Sequence, residues 1–190
     1  VGPPRLRKLA TRATFDALAT SIVYQQLSGK AAATILGRLV ARFPPPFPTP
    51  EAILRTRMTT LRAAGLSEAK SLALKDLARR SLRGEVPPLP RLRRMSDDAI
   101  IETLTAVRGI GRWTVEMLLI FRLGRPDVLP VDDLGVRRGF QLTYGHAELP
   151  TPAELLSHGE RWRPYRSLAS WYLWRAVDEH RAVSSRNGRE

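Results

Sequence analysis

Apolar residues recur along most of the chain at intervals of three and four positions, which is the period of one face of an α-helix. Phe15, Leu18 and Ile22 form such a face near the start of the chain, and Ala32 and Leu39 belong to the next one. The alternation of apolar and polar residues that is typical of a half-buried strand does not persist in any segment. The pattern therefore predicts an all-α protein.

Residues that favour helix ends separate these apolar faces. Gly65 is suited to end one helix, and Ser67 is suited to begin the next. Residues 151–154, Thr-Pro-Ala-Glu, match a capping box with proline at the first helical position. The proline-rich run 44–50 is incompatible with a helix interior and predicts an extended connector.

Residues 97–123 predict two helices that are joined by a very short turn. Ser96 is a suitable cap for the first helix, and Gly109 and Gly111 interrupt the helical period within one turn. The period resumes at Trp113. A turn of this kind exposes main-chain N–H groups at the start of the second helix, and these groups attract an anion.

The charge of the chain indicates which anion this is. Among its 190 residues, 31 Lys and Arg oppose 18 Asp and Glu, which gives a formal net charge of +13. An excess of this size favours a polyanionic partner, and nucleic acid is the usual one. We therefore expect the helical turn to bind a phosphate group.

Composition also excludes several classes of site. The chain has no cysteine, so disulfides, thiolate zinc sites and iron–sulfur clusters are excluded. Its three histidines show no spacing typical of metal ligands, and we expect no metal held by side chains. Neither a run of membrane-spanning length nor a secretory signal is present, so we expect a cytoplasmic, intracellular protein with no membrane partner.

Two segments carry a resemblance to a known family. Residues 107–114, Val-Arg-Gly-Ile-Gly-Arg-Trp-Thr, resemble the helix-hairpin-helix motif. Residues 127–138, which contain the run Val-Asp-Asp-Leu-Gly-Val-Arg-Arg, resemble the loop that carries the catalytic aspartate in the DNA glycosylase superfamily built on that motif. Taken together and in this order, they resemble the 3-methyladenine DNA glycosylase II (AlkA-type) family over about residues 15–175.

The resemblance implies a two-lobed helical fold with the active-site cleft between the lobes. We expect residues 15–126 to form a helical barrel domain that contains the helix-hairpin-helix at about 97–123. Residues 127–190, with 1–14, would form the second lobe and carry the catalytic aspartate at the junction.

Two adjacent aspartates, Asp132 and Asp133, are candidates for the catalytic group. Cleavage of an N-glycosidic bond develops positive charge on the sugar, which a nearby carboxylate stabilises. Either aspartate is also suited to cap the helix that follows. The aspartate of the family precedes Leu-Gly-x-Arg-Arg, so the resemblance selects Asp133 as catalytic and leaves Asp132 as the helix cap or a supporting residue.

Lysine usage bears on the type of reaction. Bifunctional relatives place a nucleophilic lysine two residues after the second hairpin glycine, where this chain has Trp113, and no lysine follows Lys75. The resemblance therefore implies a monofunctional, monomeric glycosylase that flips and excises 3-methyladenine-like bases from double-stranded DNA and has no abasic-site lyase activity. The alternative is a non-catalytic helix-hairpin-helix module that binds DNA.

The resemblance also assigns residues to a base pocket. Trp113 and Trp174 match pocket positions, and an indole face attracts a cationic alkylated purine. Met117 and Leu134 occupy positions where tyrosines are found in relatives, and Tyr24 completes the set. Alternatively, both tryptophans are core residues of a helical protein.

The segment around Tyr24 matches the helix junction that supplies a residue to fill the gap left by a flipped base. Gln26 aligns with this wedge residue, and Leu27 is its neighbour. Main-chain carbonyls near Val107 and Ile110 are a candidate site for a monovalent cation, as in the family, and we expect no other cofactor. The further candidate contacts with DNA are Arg108, Gly109, Ile110, Gly111, Arg112, Thr114 and Arg166.

Overall fold

A computed structural model describes residues 13–187, with side chains up to residue 184. Residues 1–12, most of the segment 1–14 assigned to the second lobe, lie outside the described residues. Between residues 13 and 187 the chain forms α-helices, one π-helical turn at Leu119–Leu123 and one 3-10 turn at Glu160–Trp162, and contains no strand. The α-helices are α1 Thr14–Tyr24, α2 Gly29–Val40, α3 Pro50–Arg55, α4 Met58–Ala63, α5 Glu68–Leu82, α6 Leu89–Leu92, α7 Asp97–Thr105, α8 Arg112–Leu118, α9 Leu134–Tyr144, α10 Pro152–Gly159 and α11 Arg166–Asn187.

Side-chain caps fix where several of these helices begin. Ser67 and Ser96 accept hydrogen bonds from main-chain N–H groups in the first turns of α5 and α7, as their sequence positions predict. Thr151 and Glu154 form the predicted capping box of α10. Each cap provides a partner for an N–H group that a helix start otherwise leaves without one.

The described residues divide into two compact units, one ending at Val115 and the other beginning at Glu116. In the first unit, α5 is the central helix and packs against α1, α3 and α4. Its apolar face contributes Leu74 and Leu77, which are fully buried together with Leu18 and Ile22 of α1. Removing these side chains from water stabilises the unit.

In the second unit, α9 and α11 form the most extensive helix pair. Its core consists of buried residues from α9, α10, α11 and the segment before α9. These residues are Leu129, Val136, Phe140, Leu155 and Leu173. None of the described helices is long and apolar enough to cross a bilayer.

Candidate active site and DNA-binding elements

The predicted helical hairpin is present in the first unit, between the end of α7 and the start of α8. Gly109 at its turn has a φ of +77°, a conformation that favours glycine. A Cβ at this position would lie 3.1 Å from the Cβ of Ala73 in α5. The main-chain N–H of Arg108 donates to Asp76 Oδ2 at 3.0 Å. The turn is therefore held against α5 by both packing and a hydrogen bond.

The predicted DNA contacts of the hairpin differ in exposure. Arg108, Gly111 and Arg112 are exposed on the turn. Ile110 and Thr114 are buried, with exposed fractions of 3% and 5%, because their side chains face the protein interior. The side chains of these two residues are therefore not offered on the surface of the turn, and their contacts with DNA stay a prediction.

The predicted wedge segment joins α1 to α2. Gln26 has a φ of +57°, a left-handed conformation that costs a residue with a Cβ about 1–2 kcal/mol. Leu27 and Tyr24 are each 39% exposed. The preceding residue, Gln25, is half-buried, and its Nε2 donates to the main-chain oxygen of Gly109 at 2.8 Å. The wedge segment and the hairpin are therefore in direct contact.

The candidate catalytic aspartate lies in the second unit, at the start of α9. Asp133 is the N-cap of this helix, and its Oδ1 accepts the main-chain N–H of Val136 at 2.7 Å. Oδ1 also accepts the indole N–H of Trp174 at 2.9 Å. The expectation that Asp132 caps the helix is wrong: the extended backbone of Asp133 directs its carboxylate onto the first turn, whereas Asp132 is exposed in the preceding turn.

Trp174 has a contact that its sequence position does not predict. Its ring is half-buried and stacks on Phe121, with 5.7 Å between ring centroids, while its polar edge bonds Asp133. A Cβ at Gly135 would lie 2.9 Å from Trp174 Cδ1 and 3.0 Å from Asp133 Oδ1. Glycine at position 135 therefore lets the indole approach the first turn of α9 and reach the carboxylate.

The loop that leads to Asp133 is attached to the start of α11. Ser167 Oγ donates to the Arg125 carbonyl at 2.7 Å and accepts the Val128 N–H at 3.0 Å. Arg166 binds Asp127 through two N–H donors, from Nε to Oδ1 at 2.7 Å and from Nη2 to Oδ2 at 3.0 Å. The Arg166 side chain is 12% exposed. This ion pair occupies the part-buried guanidinium group of Arg166, and the phosphate contact of Arg166 stays a prediction.

The remaining pocket candidates are distributed over both units. Trp113, at the start of α8, is 46% exposed, and it belongs to the first unit with Tyr24. Met117 and Leu134 belong to the second unit, where Met117 is half-buried and Leu134 is 66% exposed. Their roles in base recognition stay predictions.

Several residues of these sites were missed by reasoning from the sequence. Gln25 and Asp76 bond the hairpin turn from 84 and 32 positions away, and no local pattern indicates such long-range pairs. Phe121 and Gly135, which position Trp174, are recognisable in the sequence only as an apolar helix position and a motif glycine.

The hairpin beside α5 and the aspartate at the start of α9 are features of a helix-hairpin-helix DNA repair protein. The chain belongs to the HhH-GPD superfamily of base excision DNA repair proteins, whose family pattern matches residues 19–164. The predicted family and the predicted all-α, helix-hairpin-helix glycosylase fold are thereby confirmed.

Individual relatives agree with this assignment. The chain is 39% identical over 170 residues to DNA-3-methyladenine glycosylase 1 of Schizosaccharomyces pombe. The aligned region covers 89% of this chain and 75% of the yeast protein. The structure of the 3-methyladenine DNA glycosylase of that yeast in complex with abasic DNA superposes with a TM-score of 0.80, at 39% identity over 91% of this chain and 84% of the other. A DNA-3-methyladenine glycosidase from Bacillus halodurans gives a TM-score of 0.77, at 39% identity over 87% and 76% of the two chains.

The Asp127–Arg166 ion pair predicts a pH-dependent contribution to stability. Burial raises the pKa of the Asp127 carboxyl group, but the hydrogen bonds and charge of Arg166 lower it more, so its pKa lies below the usual value. A carboxyl group with a depressed pKa stabilises the folded state above its unfolded pKa of about 3.9. This stabilisation is lost as the pH falls through the folded pKa.

We expect Asp127→Asn to lower the free energy of unfolding by about 1.5–3 kcal/mol at neutral pH, because it weakens charge-assisted hydrogen bonds to the part-buried guanidinium group of Arg166. Denaturant unfolding at a series of pH values measures this. The difference from the unsubstituted protein should shrink below about pH 4. Asp178→Asn, in the exposed Arg175–Asp178 pair of α11, is the control and should change little. A difference that is constant down to low pH would contradict the assignment.

Proposed function

We propose that this protein is a monofunctional DNA glycosylase that flips 3-methyladenine-like bases out of double-stranded DNA and hydrolyses their N-glycosidic bonds. The observation that carries the proposal is the Asp133 carboxylate, which two N–H donors hold at the start of α9. The relatives are named as 3-methyladenine DNA glycosylases, which supports the choice of substrate.

The chemistry assigned to Asp133 is electrostatic. As the bond between C1′ and the base nitrogen breaks, its electron pair leaves with the base and the sugar acquires oxocarbenium character. The Asp133 carboxylate stabilises that charge and orients the attacking water, which forms the new C1′–O bond and releases a proton. Because two donors fix the carboxylate before the substrate arrives, little reorganisation is needed during the reaction.

Lysine placement supports the absence of lyase activity. Trp113 stands where bifunctional relatives have their nucleophilic lysine. The Lys70 amine donates to the carbonyls of Val23 and Gln25, and the Lys75 amine donates to the carbonyl of Leu54. These two amines serve as structural donors, so we expect no Schiff base with the sugar.

Base recognition is assigned to the exposed indole of Trp113 together with Trp174. An alkylated purine carries positive charge, which an aromatic face attracts, and it is already a good leaving group. This chemistry favours cationic substrates and makes protonation of the base by an acid unnecessary.

The hairpin is assigned to the DNA backbone. Its exposed arginines and main-chain N–H groups suit phosphate, and the charge of +13 favours association with DNA. The carbonyl of Val107 accepts the Ile110 N–H at 3.0 Å, and carbonyl oxygens of this kind are suitable ligands for the expected monovalent cation. We expect the protein to be cytoplasmic, which is consistent with a DNA substrate. We also expect it to act as a monomer.

Substitution of the two aspartates tests the proposal. Asp133→Asn keeps the size and the ability to cap α9 but removes the negative charge, so we expect single-turnover excision to fall by about 100- to 1000-fold while DNA binding is retained. The assay is release of methylated purines from duplex DNA, followed by alkaline cleavage of the abasic sites. Asp132→Asn changes the exposed neighbour in the same turn and should preserve activity and stability. Full activity of Asp133→Asn would show that Asp133 is not the catalytic group, whereas no excision by the unsubstituted protein would favour a non-catalytic DNA-binding module.

The indole N–H of Trp174 is tested by Trp174→Phe. The substitution keeps a ring that can stack on Phe121 but removes the donor to Asp133, so we expect excision to fall by about 10- to 100-fold, the effect of a hydrogen bond to a charged group. Trp171→Phe, in the same helix, is the control. Equal rates for Trp174→Phe and the unsubstituted protein would show that the indole N–H does not position the carboxylate.

A further inference from the structure

The two adjacent glutamines after α1 have different surroundings. Gln25 is half-buried, and its side-chain amide donates to the Gly109 carbonyl in the hairpin turn at 2.8 Å. Gln26 is exposed and has a left-handed backbone with a φ of +57°. One side chain therefore contacts the DNA-binding hairpin, while the next residue is the expected wedge.

Lys70 of α5 binds the same segment through its side chain. Its ammonium group donates to the carbonyl of Val23 at 2.8 Å and to that of Gln25 at 2.7 Å. These carbonyls lie at the C-terminal end of α1, where a helix leaves its last carbonyls without intrahelical partners. The charge of Lys70 also suits the negative end of the helix dipole. The main chain on the N-terminal side of Gln26 is thus fixed to α5.

One face of α5 contacts both elements. Lys70, Ala73 and Asp76 follow one another at intervals of three residues, a spacing that places side chains on neighbouring positions of a helix surface. Lys70 binds the end of α1, Ala73 packs under Gly109, and Asp76 accepts the Arg108 N–H at 3.0 Å. The wedge segment and the hairpin turn therefore share a single support.

A left-handed backbone at a residue other than glycine persists only where its surroundings fix it. Gln26 lies between the anchored Gln25 and Ser28, whose side chain accepts the Ala31 N–H and caps α2. The position of Gln26 is consequently determined from both sides. Loss of the Gln25 bond to the hairpin removes one of these constraints and leaves the α2 cap in place.

We propose that Gln25 is a positioning residue which, together with Lys70, holds the Gln26 wedge at a fixed place relative to the hairpin, so that a phosphate bound by the hairpin sets where Gln26 enters the duplex. The inference rests on the proposed function. Base flipping requires the wedge and the phosphate contact to act at the same time, and small misplacements reduce such concerted steps strongly.

The test compares side-chain replacements of equal length. Gln25→Met removes the amide donor, and Gln25→Glu also places an acceptor against the Gly109 carbonyl. Lys70→Met removes both bonds to the end of α1. Two variants are the matched controls. Gln141→Met removes a side-chain hydrogen bond from α9 to the Ala147 carbonyl in the loop that follows this helix. Lys75→Met removes a side-chain hydrogen bond from α5, the helix that also carries Lys70, to the Leu54 carbonyl.

Three readouts separate positioning from a structural role. Thermal unfolding reports folding, salt-dependent binding to undamaged duplex reports the phosphate contacts, and a fluorescent base analogue beside the lesion reports flipping. Single-turnover excision is measured on duplex DNA and on single-stranded DNA, in which flipping costs least. For Gln25→Met we expect flipping and duplex excision to fall by roughly three- to tenfold, the effect of one hydrogen bond.

We expect a larger decrease in flipping and duplex excision for Gln25→Glu, and little change in either quantity for the two controls. For the Gln25 variants, the salt dependence of DNA binding and the excision from single strands should change little. The Gln25→Met and Lys70→Met effects should be non-additive, because both act on one segment. Flipping by Gln25→Met equal to that of the unsubstituted protein would overturn the proposal, as would equal losses on duplex and single-stranded DNA. An unsubstituted protein that flips but does not excise would instead contradict the proposed function, and the flipping data would still test Gln25.

Discussion

The hydrogen bonds at Asp133 Oδ1 are the interaction on which the candidate active site depends. A side-chain carboxylate is a useful electrostatic catalyst only if its direction is fixed before the substrate binds. Here the Val136 N–H fixes it from within α9, and the Trp174 indole fixes it from α11. The packing of α9 against α11 thus has a chemical consequence, because it brings the indole to the carboxylate.

Other features of the second unit maintain this arrangement. Gly135 leaves room for the indole, and Phe121 supports one face of it. The Asp127–Arg166 pair joins the loop before Asp133 to the first turn of α11, the helix that carries Trp174. Both ends of the Asp133–Trp174 hydrogen bond are therefore tied to the same helix. In the first unit, α5 has the corresponding role for the hairpin and the wedge segment.

Much of this architecture follows from local sequence patterns. Helical periodicity, the Ser67 and Ser96 caps and the capping box at Thr151 predict helices that the structure contains. The hairpin was predictable because the glycines of Gly-Ile-Gly permit a tight turn between two helices. In a basic chain, such a turn also suits an anion at the start of the second helix. The family resemblance added the choice of Asp133, whose catalytic role stays a prediction.

The features that the sequence does not predict have a common physical origin. Asp132 and Asp133 both satisfy the local pattern of a helix cap, and only the backbone conformation selects Asp133. The pairing of Arg166 with Asp127, 39 positions earlier, is likewise not indicated by any local pattern. A local pattern specifies which bonds a residue is able to make, but the tertiary structure determines its partner.

The most direct test of the account is an analysis of both reaction products. Under single-turnover conditions, duplex DNA that contains one methylated purine is incubated with the protein, and free base and strand length are measured together, with borohydride present in a parallel reaction. The account predicts release of the free base, strands that stay intact until alkali is added, and no covalent adduct. Strand cleavage without alkali, a borohydride-trapped adduct, or no release of base would contradict it.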